Sequence, residues 1–483
     1  LRILVHVTLT TMLRHFESVL LSLADRGHTV RIASPARESK APPLPALEAH
    51  RNISFITAPD GRSDAWKDRI ADLRVLRDYL RYLEPRFADS PKLRTRAARK
   101  LAHVTTRGEW GHLVARCPRC HERLIDDEVG CMLHGFRHAG LTSLAALLAS
   151  TEELVPSDSG LEAFLREQRP DVLVITPLIM MGSQQPDFVK SAKALGVPVV
   201  FPVFSWDNLS TKGIVHVLPD RVLVWNDRQR GEAIEMHHVP EQCITVTGAP
   251  RFDDFSGMRP QMSRQRFCDE YGFDATQPIV LYLCSSEFVA RNKWVEAGRE
   301  VDFVRTWIGR LRQDPSLRGC NVLIRPHPRE RAQWRGFETP ERVTVALPRA
   351  MNADPSLFEA LHHSAVAVGL NTSAQLEAAV AEKPVLTVLV PEFSAGQQGT
   401  LHFSYLLKEQ GGFVELAPDM ETHLRQLAAA VAGEYDPKAI RRFVESFLRP
   451  RGIDRPASPF MVEAIEAVVD ERRARAAAGH ATS

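Results

Sequence analysis

Gly369–Pro384, GLNTSAQLEAAVAEKP, read together with Ile324–Pro328, IRPHP, decides the fold of this chain. The apolar run Ala365–Leu370 reads as a strand and Asn371-Thr372-Ser373 as a short polar turn. A helix carrying Glu377 follows, and Lys383-Pro384 stops it before the next strand, Val385–Val390. A strand that ends in small hydroxyl and amide residues and feeds a helix points backbone N–H groups and the positive end of the helix dipole beyond the sheet. That is a place for a phosphate. Glu377 lies one helical turn further in, near enough to accept hydrogen bonds from the two ribose hydroxyls of a nucleotide. The same residues also read more plainly, as a good N-cap and a helix-surface carboxylate.

The order of strand, small polar turn, helix with glutamate, Lys-Pro and strand resembles the donor half of GT-B glycosyltransferases, in which a helix glutamate holds the ribose of a nucleotide-sugar. Arg325-Pro326-His327-Pro328 is similar to the His-Pro motif of bacterial capsule-type transferases and CDP-glycerol glycerophosphotransferases. The element order resembles the family over most of the chain, and the specific motifs span about Cys284–His402. No Ser-Asp pair follows the Asn-Thr-Ser turn, unlike the glycerophosphotransferases. The resemblance implies an α/β, GT-B fold: two Rossmann-like domains whose parallel sheets face a central cleft, with a helical insertion in the first. It implies a nucleotide-sugar donor as co-substrate and no cofactor or metal for catalysis. Arg325 and His327 would face the donor phosphates with Ser285, Ser286, Asn371, Thr372 and Ser373, and Glu377 would take the ribose. Gln398 and Thr400, with Gln397 and His402 of the loop Pro391–His402, would finish the pocket.

Working outward, 483 residues are long for one core and comfortable for two domains. The expected division is an acceptor-side domain over 1–255, a donor domain over 275–440, and helices over 441–483 that cross back to the first domain. With 44% hydrophobic and 25% charged residues and a mean hydropathy of −0.18, the composition is that of a soluble globular protein. No apolar run approaches the ~18 residues of a membrane span, and Leu1–Val7 is too short and too soon polar for a secretory signal, so a cytoplasmic location is expected. No nucleic-acid partner is expected. Seven cysteines, an odd number, do not suggest a disulfide framework.

The opening reads as strand Arg2–Thr8, helix Met12–Arg26 and strand Val30–Ser34, without the glycine-rich turn of dinucleotide-binding dehydrogenases. His15 would border the cleft and is one candidate base; a cap or surface histidine is the other reading. Phe204–Gly213, FSWDNLSTKG, follows a strand and offers Trp206 for stacking, Asn208, Lys212 and Asp207, the preferred general base. An Asx turn with Trp206 buried is the alternative.

Ala71–Ser150 loses its strands and becomes helical, and residues 74–123 carry an excess of eight positive charges. Arg74, Arg77 and Arg81 line a stripe beside an apolar helix face, which either docks on an anionic membrane surface or packs on its own domain. Cys117, Cys120, Cys131 and His134 have the ligand count of a structural zinc site, or are ordinary side chains of a helical segment. The function expected from all this is transfer of a sugar from a nucleotide-activated donor to a surface-polysaccharide or lipid-linked acceptor. A non-hydrolysing sugar-nucleotide 2-epimerase and a non-catalytic sugar-nucleotide-binding subunit are the alternatives.

Overall fold

Arg2–Val7 buries five of its six side chains, as a strand covered on both faces must. Leu4 joins the core on one face, while Ile3, Val5 and Val7 join the core on the other. The structure, a computed structural model, describes residues 1–38, 44–105, 138–286, 299–328, 331–347 and 354–481. It divides into two compact units, Leu1–Arg251 with Phe447–Ser483, and Phe252–Ser446.

In the first unit β1 (Arg2–Val7), β2 (Thr29–Pro35), β3 (Ile53–Ala58), β4 (Val172–Thr176), β5 (Val199–Pro202), β6 (Arg221–Val224) and β7 (Ile244–Val246) form one sheet. Its order is β3-β2-β1-β4-β5-β6-β7, every neighbouring pair parallel. The winding reverses between β1 and β4, so their carboxyl ends form the switch point where open parallel sheets take ligands. The expected helix Met12–Arg26 is a 3-10 turn, Thr10–His15, followed by α1 (Glu17–Asp25). Met461, Val462, Ile465, Val468 and Val469 of the helix Ser458–Ala481 pack with α1 residues on the same face as Ile3 and Val5.

The arginine stripe is corrected by the structure. Arg74 and Arg81, on α2 (Lys67–Arg81), are 1% and 4% exposed. Arg74 pairs with Glu152 at 2.8 Å and with Asp187 at 2.7 Å, Asp187 also receives Arg62 at 3.1 Å, and Arg77 lies 3.9 Å from Glu152. These cations are committed inside the unit and do not form a membrane-docking face. Two further helices of the insertion are described, α3 (Pro91–Thr105) and His138–Leu154. Cys117, Cys120, Cys131 and His134 lie outside the described residues. Among the described residues, Cys243, Cys268, Cys284 and Cys320 are free thiols, no metal-sized group of ligands occurs, and no helix is long and apolar enough to cross a membrane.

In the second unit β8 (Ile279–Leu283), β9 (Asn321–Arg325), β10 (Val343–Val345), β11 (Val366–Val368), β12 (Val385–Val388) and β13 (Glu415–Ala417) are again all parallel, in the order β10-β9-β8-β11-β12-β13. The winding reverses between β8 and β11. Asp253–Gln277, around the boundary between the two expected domains, holds two short helices, Asp253–Gly257 and Arg264–Tyr271.

Beneath this sheet Trp307 Nε1 donates to His423 Nε2 at 3.0 Å, and burial pushes the imidazole down to about 4. Its folded pKa is below the ordinary value, so the stabilisation is complete above about pH 6.5 and is lost as pH falls through 4. Acidification from pH 7 to 4.5 should cost on the order of 2–3 kcal/mol through this group. His423→Gln keeps an acceptor for the indole and should show a shallower loss in urea titrations at the two pH values. Identical losses in variant and wild type would exclude His423 as the source.

Candidate functional site

Three neighbouring strands of the second sheet end at one level: Leu283 pairs with Arg325, Val368 pairs with Tyr282, and Cys284 N donates to the Arg325 carbonyl at 3.0 Å. Gly369 continues β11 so close to β8 that an added Cβ would lie 2.9 Å from the Leu283 carbonyl oxygen. Only glycine lets the two exits approach in this way. The edge thereby gathers Ser285 and Ser286 from β8, Arg325 and His327 from β9, and Asn371, Thr372 and Ser373 from β11.

Arg325 is 7% exposed and donates from Nη2 to Ser356 Oγ at 2.8 Å. Burial lowers its pKa from the usual guanidinium value, against the pull of Tyr271 and Asp354. An anion at the strand end would offset the cost of that burial. His327 is half-buried beyond it. Ser373 is exposed and stands at the N-cap of the short helix Ala374–Val380, but its side chain makes no capping bond. Glu377 lies in the first turn of that helix and is 7% exposed.

Other expected contacts are taken up by the scaffold. Asn371 Nδ2 donates to the Gly396 carbonyl at 2.7 Å. Thr372 N donates to Gln375 Oε1 at 3.2 Å, while Gln375 Nε2 reaches the Gly369 carbonyl at 3.2 Å. Gln397 is fully buried; it accepts from Val390 N at 3.2 Å and donates to the Val388 carbonyl at 2.9 Å. Thr400, 2% exposed, donates its hydroxyl to the Gln397 carbonyl at 2.9 Å, whereas Gln398 is exposed. Gln397 and Thr400 therefore brace the loop instead of lining a pocket, because a buried amide must satisfy both its donor and its acceptor.

Sequence reasoning passed over Glu300. It opens the helix Glu300–Gln313, is fully buried, and accepts from Ser285 N at 2.9 Å and Tyr282 Oη at 3.1 Å. An acidic residue in a first helical turn usually faces water, so only the tertiary donors reveal it. It fixes the β8 exit. Burial, reinforced by Glu300, holds the Tyr282 phenol and the Cys284 thiol well above their usual ranges, leaving both neutral.

In the first unit the FSWDNLSTKG loop is clamped by the insertion. Arg81 donates to the carbonyls of Leu209, Lys212 and Gly213, Arg96 to that of Thr211, and Tyr82 Oη to that of Lys212 at 2.5 Å. Asp78 accepts from Ile214 N at 2.8 Å and lies 3.0 Å from His216 Nε2. Trp206 is buried, 3% exposed, so it offers no stacking surface. Asp207 keeps partial exposure; it receives Ser205 Oγ at 2.5 Å and Thr211 Oγ1 at 2.9 Å, with Lys212 Nζ at 3.4 Å. His15 packs edge-on against Phe204, with ring centroids 5.4 Å apart. Burial, then Arg14 and Arg251, lower its pKa well below the ordinary value, and Asp207 opposes them, so His15 is a neutral imidazole at pH 7. The two candidate bases thus share one electrostatic neighbourhood, with Arg251 as a cation that the sequence did not single out.

No known protein family matches the sequence, and no curated protein is recognisably similar to it. The structure is similar to UDP-GlcNAc 2-epimerase from Neisseria meningitidis bound to UDP-GlcNAc, with 12% identity, 97% of this chain and 100% of that one covered, and a TM-score of 0.51. It is equally similar to the S. aureus MnaA–UDP co-structure, with 10% identity, 97% of each chain covered and a TM-score of 0.51. At these identities the likeness is one of fold. The chain has the two-sheet α/β architecture of the GT-B type. That plan is shared by nucleotide-sugar transferases and non-hydrolysing 2-epimerases.

Proposed function

We propose that the chain is a GT-B enzyme that uses a nucleotide-sugar and transfers its sugar to a polysaccharide or lipid-linked acceptor. The observation that carries this reading is the common level at which β9, β8 and β11 end, bringing Arg325, His327, Ser286, Thr372, Ser373 and Glu377 to one edge. In this reading Arg325 and His327 meet the donor phosphates, the hydroxyls of Thr372 and Ser373 add hydrogen bonds, and Glu377 holds the ribose. Charge builds on the departing phosphate in the transition state, so a desolvated cation placed there lowers the barrier selectively. The reading requires no metal for that step. In this reading Asp207 or His15 takes the acceptor's proton.

Calorimetric titration with free nucleoside diphosphates tests the donor site. Glu377→Ala should weaken binding by about ten- to a hundredfold, the value of hydrogen bonds to a charged group at roughly 1.5–3 kcal/mol. Unchanged affinity for every nucleotide would remove the ribose assignment. The fold likeness to 2-epimerases keeps a second reaction in view. Incubation with a nucleotide-sugar alone separates the two, because an epimerase turns over without acceptor.

A further inference from the structure

A polar cavity of about 650 Å³ lies at the carboxyl ends of β1, β2, β3 and β4 in the first unit, and no residue of the Asp207 loop lines it. Its volume is in the range of small-molecule sites. His6, the penultimate residue of β1, lines it and is 2% exposed. The tautomer of His6 is set by Gln185, at the start of α4 (Gln185–Ala194). Gln185 Oε1 accepts from Leu178 N at 2.7 Å, and its Nε2 donates to the Thr176 carbonyl at 2.8 Å, which fixes the amide orientation. The same Nε2 lies 2.9 Å from His6 Nδ1, so Nδ1 must accept and Nε2 must carry the proton. His6 Nε2 is buried and has no hydrogen-bond partner among the described residues. Burial pushes the imidazole down to about 3, which keeps it a neutral donor.

A second buried atom without a partner among the described residues belongs to the same lining: Gln184 Oε1. Gln184 packs on the bare backbone of Gly61, where an added Cβ would fall 2.6 Å from the Gln184 Cβ. Buried polar atoms of this kind are ordinarily satisfied by something, and a donor and an amide acceptor in one lining suit hydroxyl groups, which both give and receive hydrogen bonds. The exposed part of the lining carries Arg37 and Lys67, with Asp60 3.8 Å from Arg37 as the opposing charge. Arg62 also lines the cavity but is committed to Asp64 and Asp187.

We propose that this cavity binds a phosphorylated sugar or polyol, its hydroxyls meeting His6 Nε2 and Gln184 and its phosphate lying beside Arg37 and Lys67. That the occupant is the acceptor's phosphorylated end rests on the transferase reading; the chemistry of the cavity does not.

The test uses the full chain without nucleotide, titrated calorimetrically with glucose 6-phosphate, glycerol 3-phosphate, glucose and inorganic phosphate. At least one phosphorylated polyhydroxyl probe should bind, and glucose and inorganic phosphate should bind at least tenfold more weakly than it. The double variant Arg37→Gln/Lys67→Gln, altered only at exposed positions, should weaken that probe at least tenfold with its melting temperature unchanged. His6→Ala risks the fold, so wild-type protein with ¹⁵N-labelled histidine provides the second readout: the His6 Nε2 resonance should shift on saturation. No binding of either phosphorylated probe at millimolar concentration overturns the proposal, as does inorganic phosphate binding as tightly as the best probe. Binding indifferent to the double variant, or an unmoved His6 resonance, overturns it equally. None of these outcomes bears on Glu377 and the nucleotide, which the separate titration decides.

Discussion

Asp187→Ala should destabilise the first unit by about 3–5 kcal/mol, the usual cost of removing one partner from a buried ion network. Asp187 is 1% exposed and receives both Arg62 and Arg74, so its loss leaves two guanidinium groups buried beside a single remaining carboxylate each, Asp64 and Glu152. The surface pair Arg166–Glu162, whose arginine side chain is 60% exposed, is the control; Arg166→Ala should cost less than about 1 kcal/mol. Urea unfolding followed by circular dichroism measures both. A loss below about 1 kcal/mol for Asp187→Ala would mean that water reaches the arginines once the carboxylate is gone.

Asp207→Asn should lower turnover by roughly two to four orders of magnitude on typical general-base values, with donor affinity unchanged. The substitution keeps the shape of the side chain and the bond from Thr211, while removing a proton acceptor from beside His15. Turnover within a few-fold of wild type would assign the proton transfer to His15, whose neutral imidazole is already in the accepting state. His15→Gln then becomes the informative variant, because it should show the large loss that Asp207→Asn lacked.

The parts of the fold legible in the sequence were those written in contiguous residues. The runs at β1, β8, β9 and β11 are apolar because both faces are covered, and the Asn-Thr-Ser turn is marked by its small polar residues. The edge strand β3 escaped notice because ISFITA exposes Ser54, Phe55 and Thr57 and so lacks a buried run. β13 escaped because three residues, Glu415–Ala417, carry too little pattern to distinguish from the helices that follow. Arg74 looked like surface charge because its partners, Glu152 and Asp187, are 78 and 113 residues away. Gln185 and Glu300 were invisible for the same reason: their roles are defined by backbone N–H and carbonyl groups of other elements, on which sequence patterns are silent.

Gln185, Gln375 and Gln397 each tie a strand's exit to a neighbouring segment through both halves of a carboxamide. A carboxamide does not titrate between pH 3 and 11, and it draws no counterion. The strand exits held by these three amides therefore keep their wiring while neighbouring reactive groups change charge. The same wiring has a chemical lifetime: slow hydrolysis of any of the three amides to glutamate would exchange a donor for a repelling charge facing backbone carbonyls, so aged protein should lose its binding edges before it loses its fold.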